Sequence, residues 1–102
     1  MGGFKTVAKT GDVAEGSLAA FDVDGVQVAI ANVGGTMFAF SDVCTHAGCS
    51  LADGDLEERT VTCPCHGSQF DVSTGDVLSP PAPAPVAVYP VRIEGDAIQV
   101  EI

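Results

Sequence analysis

The chain has 102 residues, 46% of them apolar and 18% charged, which is the size of one domain with enough apolar side chains to bury a core. Asp and Glu number 14 against 4 Lys and Arg, so the formal net charge is −10. This charge repels phosphates and makes nucleic acid and anionic membrane surfaces poor partners. No charge-free run suits a bilayer span and no signal peptide follows Met1, so we expect a soluble, cytoplasmic protein.

Helix is nearly absent from the sequence pattern. No segment of ten residues shows a helical period. Asp12, followed three residues later by Glu15, resembles a capping box and predicts a single helical turn at residues 12–15.

Strands are predicted near both ends of the chain. Val26, Val28 and Ile30 alternate with smaller or polar residues, as expected of a half-buried strand. Asp24-Gly25 before this strand and Gly34-Gly35 after it are typical of tight turns.

The C-terminal part repeats this pattern. Ile98, Val100 and Ile102 alternate within a run at Ala97–Ile102, and Glu94-Gly95-Asp96 separates that run from another at Tyr89–Ile93. We expect each run to form one strand, and therefore a strand meander at each end of the chain.

The middle of the chain differs in composition. All 4 Cys and both His lie between residues 43 and 79, and the proline-rich residues 79–85 follow them. Such a segment cannot be a central strand, because each proline removes a ladder donor. It is either a rigid polyproline linker or, as we prefer, a stiff loop laid against the cysteine-containing segment. The overall expectation is an all-β domain carrying an inserted, loop-rich lobe.

Two short motifs combine a thiol with an imidazole: Cys44-Thr45-His46 and Cys63-Pro64-Cys65-His66, with 16 residues between them. A structural zinc site also takes two Cys and two His, although the first spacing is tight for one ion. Covalent haem attachment uses the motif C-x-x-C-H, which is one residue longer than Cys63-Pro64-Cys65-His66. A disulfide scaffold would leave the two histidines without a role. A catalytic cysteine activated by a histidine would account for one of the two motifs and would not require the second. The remaining alternative is a [2Fe-2S] cluster in which two histidines replace two cysteines.

Both motifs resemble the cluster-binding boxes of Rieske iron–sulfur proteins. The likeness covers Cys44–Cys49 and Cys63–Ser68, and it extends to residues 51–56, 70–75 and 89–92, which are similar to small Rieske ferredoxins of bacterial ring-hydroxylating dioxygenase systems. It implies an antiparallel sandwich or barrel as a base domain, at about residues 1–42 and 84–102, with a cluster-binding subdomain at about residues 43–83.

The resemblance also implies the ligands of one [2Fe-2S] cluster. Cys44 and Cys63 would ligate one iron, and His46 and His66 the other. Neutral imidazoles in place of anionic thiolates make reduction easier, so such centres lie at about −150 to +300 mV. The outward nitrogen of each imidazole is a plausible exit for electrons, and its proton would couple the potential to pH.

Other loop residues resemble the high-potential members of the family. There, cysteines at the places of Cys49 and Cys65 form a disulfide that dioxygenase-type ferredoxins usually lack; we expect it here, protected from reductant by burial. Ser68 would donate its hydroxyl proton to a cluster sulfur, although it could instead cap its own backbone. Gly48 and Gly67 would allow close approach of the backbone and direct N–H groups at the sulfurs, or serve as ordinary turn residues. We therefore predict an intermediate to high potential.

The function predicted from this likeness is soluble one-electron transfer. The chain would shuttle electrons from a flavin-dependent reductase to a terminal oxygenase or a similar acceptor. It would not itself be catalytic, because a Rieske oxygenase needs two further histidines for mononuclear iron and this chain has 2 in total. The alternatives are a small Rieske subunit of a larger complex, such as a nitrite or arsenite oxidoreductase, and a zinc-stapled binding module.

Overall fold

Short antiparallel strands make up most of the protein. The computed structural model describes residues 3–45, 48–65, 67–80 and 82–102. In these ranges the strands are β1 (Phe4–Lys9), β2 (Leu18–Val23), β3 (Val26–Val33), β4 (Thr36–Ser41), β5 (Asp55–Glu57), β6 (Thr60–Thr62), β7 (Gln69–Asp71), β8 (Val77–Ser79), β9 (Val88–Tyr89), β10 (Val91–Glu94) and β11 (Ala97–Glu101). Short 3₁₀ turns span Thr10–Asp12 and Leu51–Asp53. Among the described residues, no helix has the length and apolar character needed to cross a membrane.

The strands form three antiparallel sheets. The outer sheet has the order β1-β11-β10, the middle sheet β2-β3-β4-β9, and the loop sheet β5-β6-β7-β8. The predicted all-β class and the inserted lobe are therefore confirmed, since the loop sheet lies between β4 and β9 in the chain.

Tight turns set the register of the middle sheet. Asp24 and Gly25 have φ values of 52° and 86° and join Val23 to its partner Val26. The positive φ at both positions is what a two-residue hairpin needs to match the strand twist, and it explains the Asp-Gly sequence. Gly34 and Gly35 join β3 to β4 in the same way, with φ values of 61° and 94°. Both predicted turns are confirmed.

The middle sheet has an apolar core on each face. Val28 and Ile30 pack in the core shared with the outer sheet, whereas Ala29 and Ala31 pack in the core shared with the loop sheet; all four are 0% exposed. The expected alternation is present, but the prediction of a half-buried β3 is wrong. The inserted lobe covers the second face, where alanine leaves room for the larger side chains of that lobe.

The run at Tyr89–Ile93 is two strands, not the one predicted. Tyr89 pairs with Ala39 in the middle sheet, and Val91 pairs with Val100 in the outer sheet. Pro90 stands between them, where its missing N–H costs no ladder bond and its carbonyl accepts a hydrogen bond from the Glu101 N–H at 3.0 Å. The proline thus marks the place where the chain changes sheets.

The predicted helical turn at residues 12–15 is misplaced. The 3₁₀ turn spans Thr10–Asp12, so Asp12 ends it rather than capping its start. The Asp12 carboxylate accepts a hydrogen bond from the Lys9 N–H at 2.9 Å, which is the reverse half of a capping box.

Candidate metal centre

Two loops of equal length carry the cysteine and histidine motifs: loop 1, Cys44–Cys49, and loop 2, Cys63–Ser68. They have the same backbone hydrogen bonds. The Cys44 N–H donates to the Cys49 carbonyl at 2.9 Å, and the Cys63 N–H donates to the Ser68 carbonyl at 2.8 Å. The two loops are therefore built alike, although their sequences differ at most positions.

A glycine at the fifth position closes each loop. Gly48 and Gly67 have φ values of 71° and 78°, a region that other residues rarely adopt. Their N–H groups donate to the Cys44 and Cys63 carbonyls at 2.9 and 3.1 Å. The turn role of both glycines is confirmed, and the expectation that N–H groups of the loops point at cluster sulfurs stays a prediction.

The predicted thiol ligands are buried. Cys44 and Cys63 are each 2% exposed and belong to the core between the middle sheet and the loops. Thiolates in such a place need a compensating charge, because an uncompensated anion is strongly disfavoured in an apolar interior. Soft donors from two matching loops, shielded from water, fit an iron–sulfur cluster or zinc.

The predicted imidazole ligands, His46 and His66, lie outside the described residues. Their sequence positions differ: His46 comes two residues after Cys44, and His66 three residues after Cys63. The place in loop 2 that matches His46 is taken by Cys65. The ligand role of both histidines therefore stays a prediction.

A disulfide joins the two loops. Cys49 of loop 1 is bonded to Cys65 of loop 2, with a Cα–Cα distance of 6.5 Å. The sulfur atoms of Cys49, Cys63 and Cys65 all lie within 4.8 Å of one another. The pairing agrees with the resemblance, but the expected burial is wrong: Cys65 is exposed and Cys49 is half-buried. We therefore expect a reductant in solution to reach this bond.

The proline-rich segment contacts both loops. Ser68 is 0% exposed, and its hydroxyl oxygen accepts a hydrogen bond from the Ala82 N–H at 3.0 Å. The Thr45 hydroxyl donates to the Ala84 carbonyl at 2.6 Å. The prediction of a stiff loop laid against the central segment is thus confirmed.

Ser68 does not cap its own turn, since the oxygen's partner is an amide 14 positions along the chain. Because the Ser68 oxygen accepts from Ala82, its own proton stays available for another acceptor. Thr45 was missed by sequence reasoning. Its place between two predicted ligands was the one available signal.

Comparison with known proteins decides the family. The Rieske [2Fe-2S] domain family matches residues 3–90. The chain belongs to this family. It therefore carries one [2Fe-2S] cluster, and the zinc and haem alternatives are set aside.

Both curated relatives and solved structures agree with this assignment. The chain is 35% identical over 91 residues to the ferredoxin component of the naphthalene 1,2-dioxygenase system of Pseudomonas aeruginosa, covering 89% of this chain and 88% of the relative. It is 40% identical over 93 residues to the cytochrome b6-f complex iron-sulfur subunit of Chlorobaculum thiosulfatiphilum, covering 91% of this chain and 50% of that subunit. The structure resembles the ferredoxin of carbazole 1,9a-dioxygenase from Nocardioides aromaticivorans, with a TM-score of 0.92, 34% identity and 96% of each chain covered.

Proposed function

We propose that this Rieske protein is a ferredoxin, a one-electron carrier in which Cys44 and Cys63 ligate one iron and His46 and His66 the other. The observation that carries the proposal is the pair of matching loops, each with a thiol that is 2% exposed. When bound, the cluster accepts one electron and releases it again. Ferredoxin components among the relatives support a role in electron transfer rather than bond-breaking catalysis.

The residues of the chain would control the cluster by excluding water and by hydrogen bonding. The core around Cys44 and Cys63 lowers the local polarity, and the Ser68 hydroxyl is held where it can donate its proton to a sulfur. Within the proposed division, residues 43–83 form the cluster-binding subdomain, and residues 1–42 and 84–102 form the base.

The sequence segments that include the two loops and the proline-rich stretch contain no charged residue. Residues 43–52, 60–70 and 77–91 contain no Asp, Glu, Lys or Arg, although the whole chain carries 18% charged residues. Val43 and Leu78, within these segments, are 44% and 53% exposed. A partner that approaches the cluster closely therefore buries little charge, which favours rapid binding and release.

The partners we propose are a flavin-dependent reductase as electron donor and a terminal oxygenase as acceptor, in the cytoplasm. The support is that relatives with nearly equal length are ferredoxin components of dioxygenase systems.

A subunit of a larger oxidoreductase complex is the second candidate. It is favoured by the 40% identity with a cytochrome b6-f iron-sulfur subunit, of which the chain spans about half, covering 50%. Size-exclusion chromatography with the products of neighbouring genes separates a free carrier from a tightly bound subunit.

The first test is the composition and colour of anaerobically purified protein. We expect about two iron and two sulfide per chain, a red-brown colour, and bleaching by about one electron equivalent of dithionite. Cys44→Ser should abolish the colour. The double variant Cys49→Ser/Cys65→Ser is the matched control, because it removes two cysteines without touching a proposed ligand, and it should keep the cluster. A colourless protein that binds one zinc would contradict the proposal.

A further inference from the structure

The two cluster loops differ in the structure of the chain segments that lead into and out of them. Loop 2 stands on the β6–β7 hairpin, in which Thr60, Val61 and Thr62 pair with Asp71, Phe70 and Gln69. Loop 1 follows β4, but its returning limb forms no strand among the described residues. One isolated bridge, Val43 to Ser50, joins its two limbs before the 3₁₀ turn at Leu51–Asp53 begins. Loop 1 therefore lacks the ladder that holds loop 2.

The Asp42 side chain occupies the place where that ladder is missing. Asp42 is 4% exposed and is the only buried charged residue among those that the structure describes. Its carboxylate accepts hydrogen bonds from the Ser50 hydroxyl at 2.5 Å and from the Ala52 N–H at 2.8 Å. These two donors lie on the returning limb, on either side of Leu51.

The Asp42 backbone extends the same connection to the middle sheet. Its N–H donates to the Gln27 carbonyl at 3.0 Å, and its carbonyl accepts from the Leu51 N–H at 2.8 Å. One residue thus ties the outgoing limb, the returning limb and β3 together. Cys44 lies two residues after Asp42, so a movement of Asp42 would also move loop 1, which begins at Cys44.

We propose that Asp42 is a positioning residue of the metal centre, whose buried carboxylate replaces a strand ladder and holds the two limbs of loop 1 together on β3. This inference rests on the proposed role of Cys44 as a ligand. The carboxylate suits the task because hydrogen bonds to an ionised acceptor are about twice as strong as neutral ones. A neutral side chain of the same shape keeps the acceptor for Ala52, and the Ser50 hydroxyl can turn to accept instead of donate.

The test compares three variants of the cluster-loaded protein. Asp42→Ala removes both side-chain bonds, whereas Asp42→Asn keeps their geometry. Asn32→Ala is the matched control, because Asn32 is 6% exposed, donates to the Val13 carbonyl at 2.8 Å and accepts from the Gly35 N–H at 2.9 Å, all within the base. Three quantities are measured: the rate at which a chelator bleaches the cluster, the EPR linewidth of the reduced cluster, and the exchange of the Ala52 amide hydrogen.

We expect Asp42→Ala to bleach at least about tenfold faster than wild type, because it removes two charge-assisted hydrogen bonds and one alone represents about that factor. Its EPR lines should broaden and its Ala52 amide should exchange faster. Asp42→Asn should stay within about threefold of wild type, and Asn32→Ala should change none of the three. If Asp42→Ala does not fold, Ser50→Ala removes one of the two bonds and should bleach measurably faster.

Each failure has its own signature. A wild-type protein without a cluster overturns the proposed function. A wild-type protein with a cluster, together with an Asp42→Ala or Ser50→Ala variant that bleaches and exchanges like it, overturns the role of Asp42. An Asp42→Asn variant as labile as Asp42→Ala overturns it also, since hydrogen-bond geometry would then not be what positions the loop.

Discussion

Ser68 is the residue that we propose tunes the cluster from outside the ligand set. It is 0% exposed, and its oxygen is occupied as an acceptor by the Ala82 N–H. A hydroxyl that accepts one hydrogen bond donates its own proton more strongly. A hydrogen bond to a ligand sulfur stabilises the reduced cluster, which carries more negative charge.

We therefore expect Ser68→Ala to lower the reduction potential. If the hydrogen bond stabilises the reduced cluster by about 1.4 kcal/mol more than the oxidised cluster, its loss lowers the one-electron reduction potential by about 59 mV. Protein-film voltammetry measures the potential, and Ser73→Ala is the control, since that hydroxyl bonds to Asp71 in the β7–β8 turn. Equal potentials for wild type and Ser68→Ala would mean that the serine proton goes elsewhere.

Asp71 makes the stability of the fold depend on pH through its hydrogen bonds in the loop sheet. The Ser73 hydroxyl donates to its carboxylate, as does the Ser73 N–H at 2.8 Å, and these bonds lower the pKa of Asp71 below its ordinary value. A group whose pKa is lower in the folded state stabilises the fold above its unfolded pKa, near 4, and loses that effect as pH falls through the folded pKa.

Asp71→Asn should consequently lower the free energy of unfolding by about 1 kcal/mol at pH 7, and the difference from wild type should shrink as pH falls below about 4. Thermal unfolding is followed from pH 7 down to the lowest pH at which the visible spectrum of the cluster persists. A difference in Tm that grows on acidification would have the wrong sign for this explanation.

At the scale of elements, the disulfide joins loops that other contacts already hold together. Each loop has its own backbone hydrogen bonds, and the segment after Pro80 bonds to both, at Thr45 and Ser68. Reduction of the exposed Cys49–Cys65 bond should therefore leave the cluster in place.

This expectation is tested by counting thiols. Denatured protein that has not been reduced should show 2 alkylated cysteines of 4, because one disulfide is present. After treatment of the native protein with dithiothreitol, all 4 should react once the protein is denatured, while the visible spectrum before denaturation stays that of the cluster. A disulfide that resists dithiothreitol in the native protein would contradict its exposure.

Local sequence patterns predicted the strands and turns more accurately than they predicted what those strands and turns pack against. Asp24-Gly25 and Gly34-Gly35 specify turns through backbone conformation alone, so both were readable from the sequence. The second buried face of β3 was not, because it depends on a lobe that follows later in the chain. The interruption of the strand at Pro90 has a local cause, the missing N–H of proline. Which sheet each half joins depends on pairing with strands that lie far away in the sequence.

The same distinction applies to the metal centre. Four proposed ligands and a cysteine pair could be named because the two motifs resemble the cluster-binding boxes of Rieske proteins, where residues at these places have those roles. The exposure of Cys65 and the role of Asp42 could not, since both depend on how the limbs of loop 1 and loop 2 are supported. An isolated aspartate before a cysteine is an ordinary sequence feature.

At the scale of the whole molecule, the two loops carry no charged residue, and most basic residues lie far from them. Of the 4 basic residues, Lys5, Lys9 and Arg92 lie on the outer sheet, and Lys5 and Arg92 form ion pairs with Asp24 and Glu94. The loops lie on the other side of the middle sheet, within segments that contain no charged residue. Charged residues of the base and of the loop-bearing lobe, at residues 53–59, 71 and 76, therefore supply solubility.

The central claim is that two imidazoles complete the cluster, and pulsed EPR of the reduced protein measures this directly. With ¹⁵N-labelled histidine as the only enriched residue, we predict hyperfine couplings from two directly bound ¹⁵N nuclei, and only one in a His66→Cys variant that still assembles a cluster. A reduced cluster whose spectrum contains no coupling from histidine nitrogen would contradict the account.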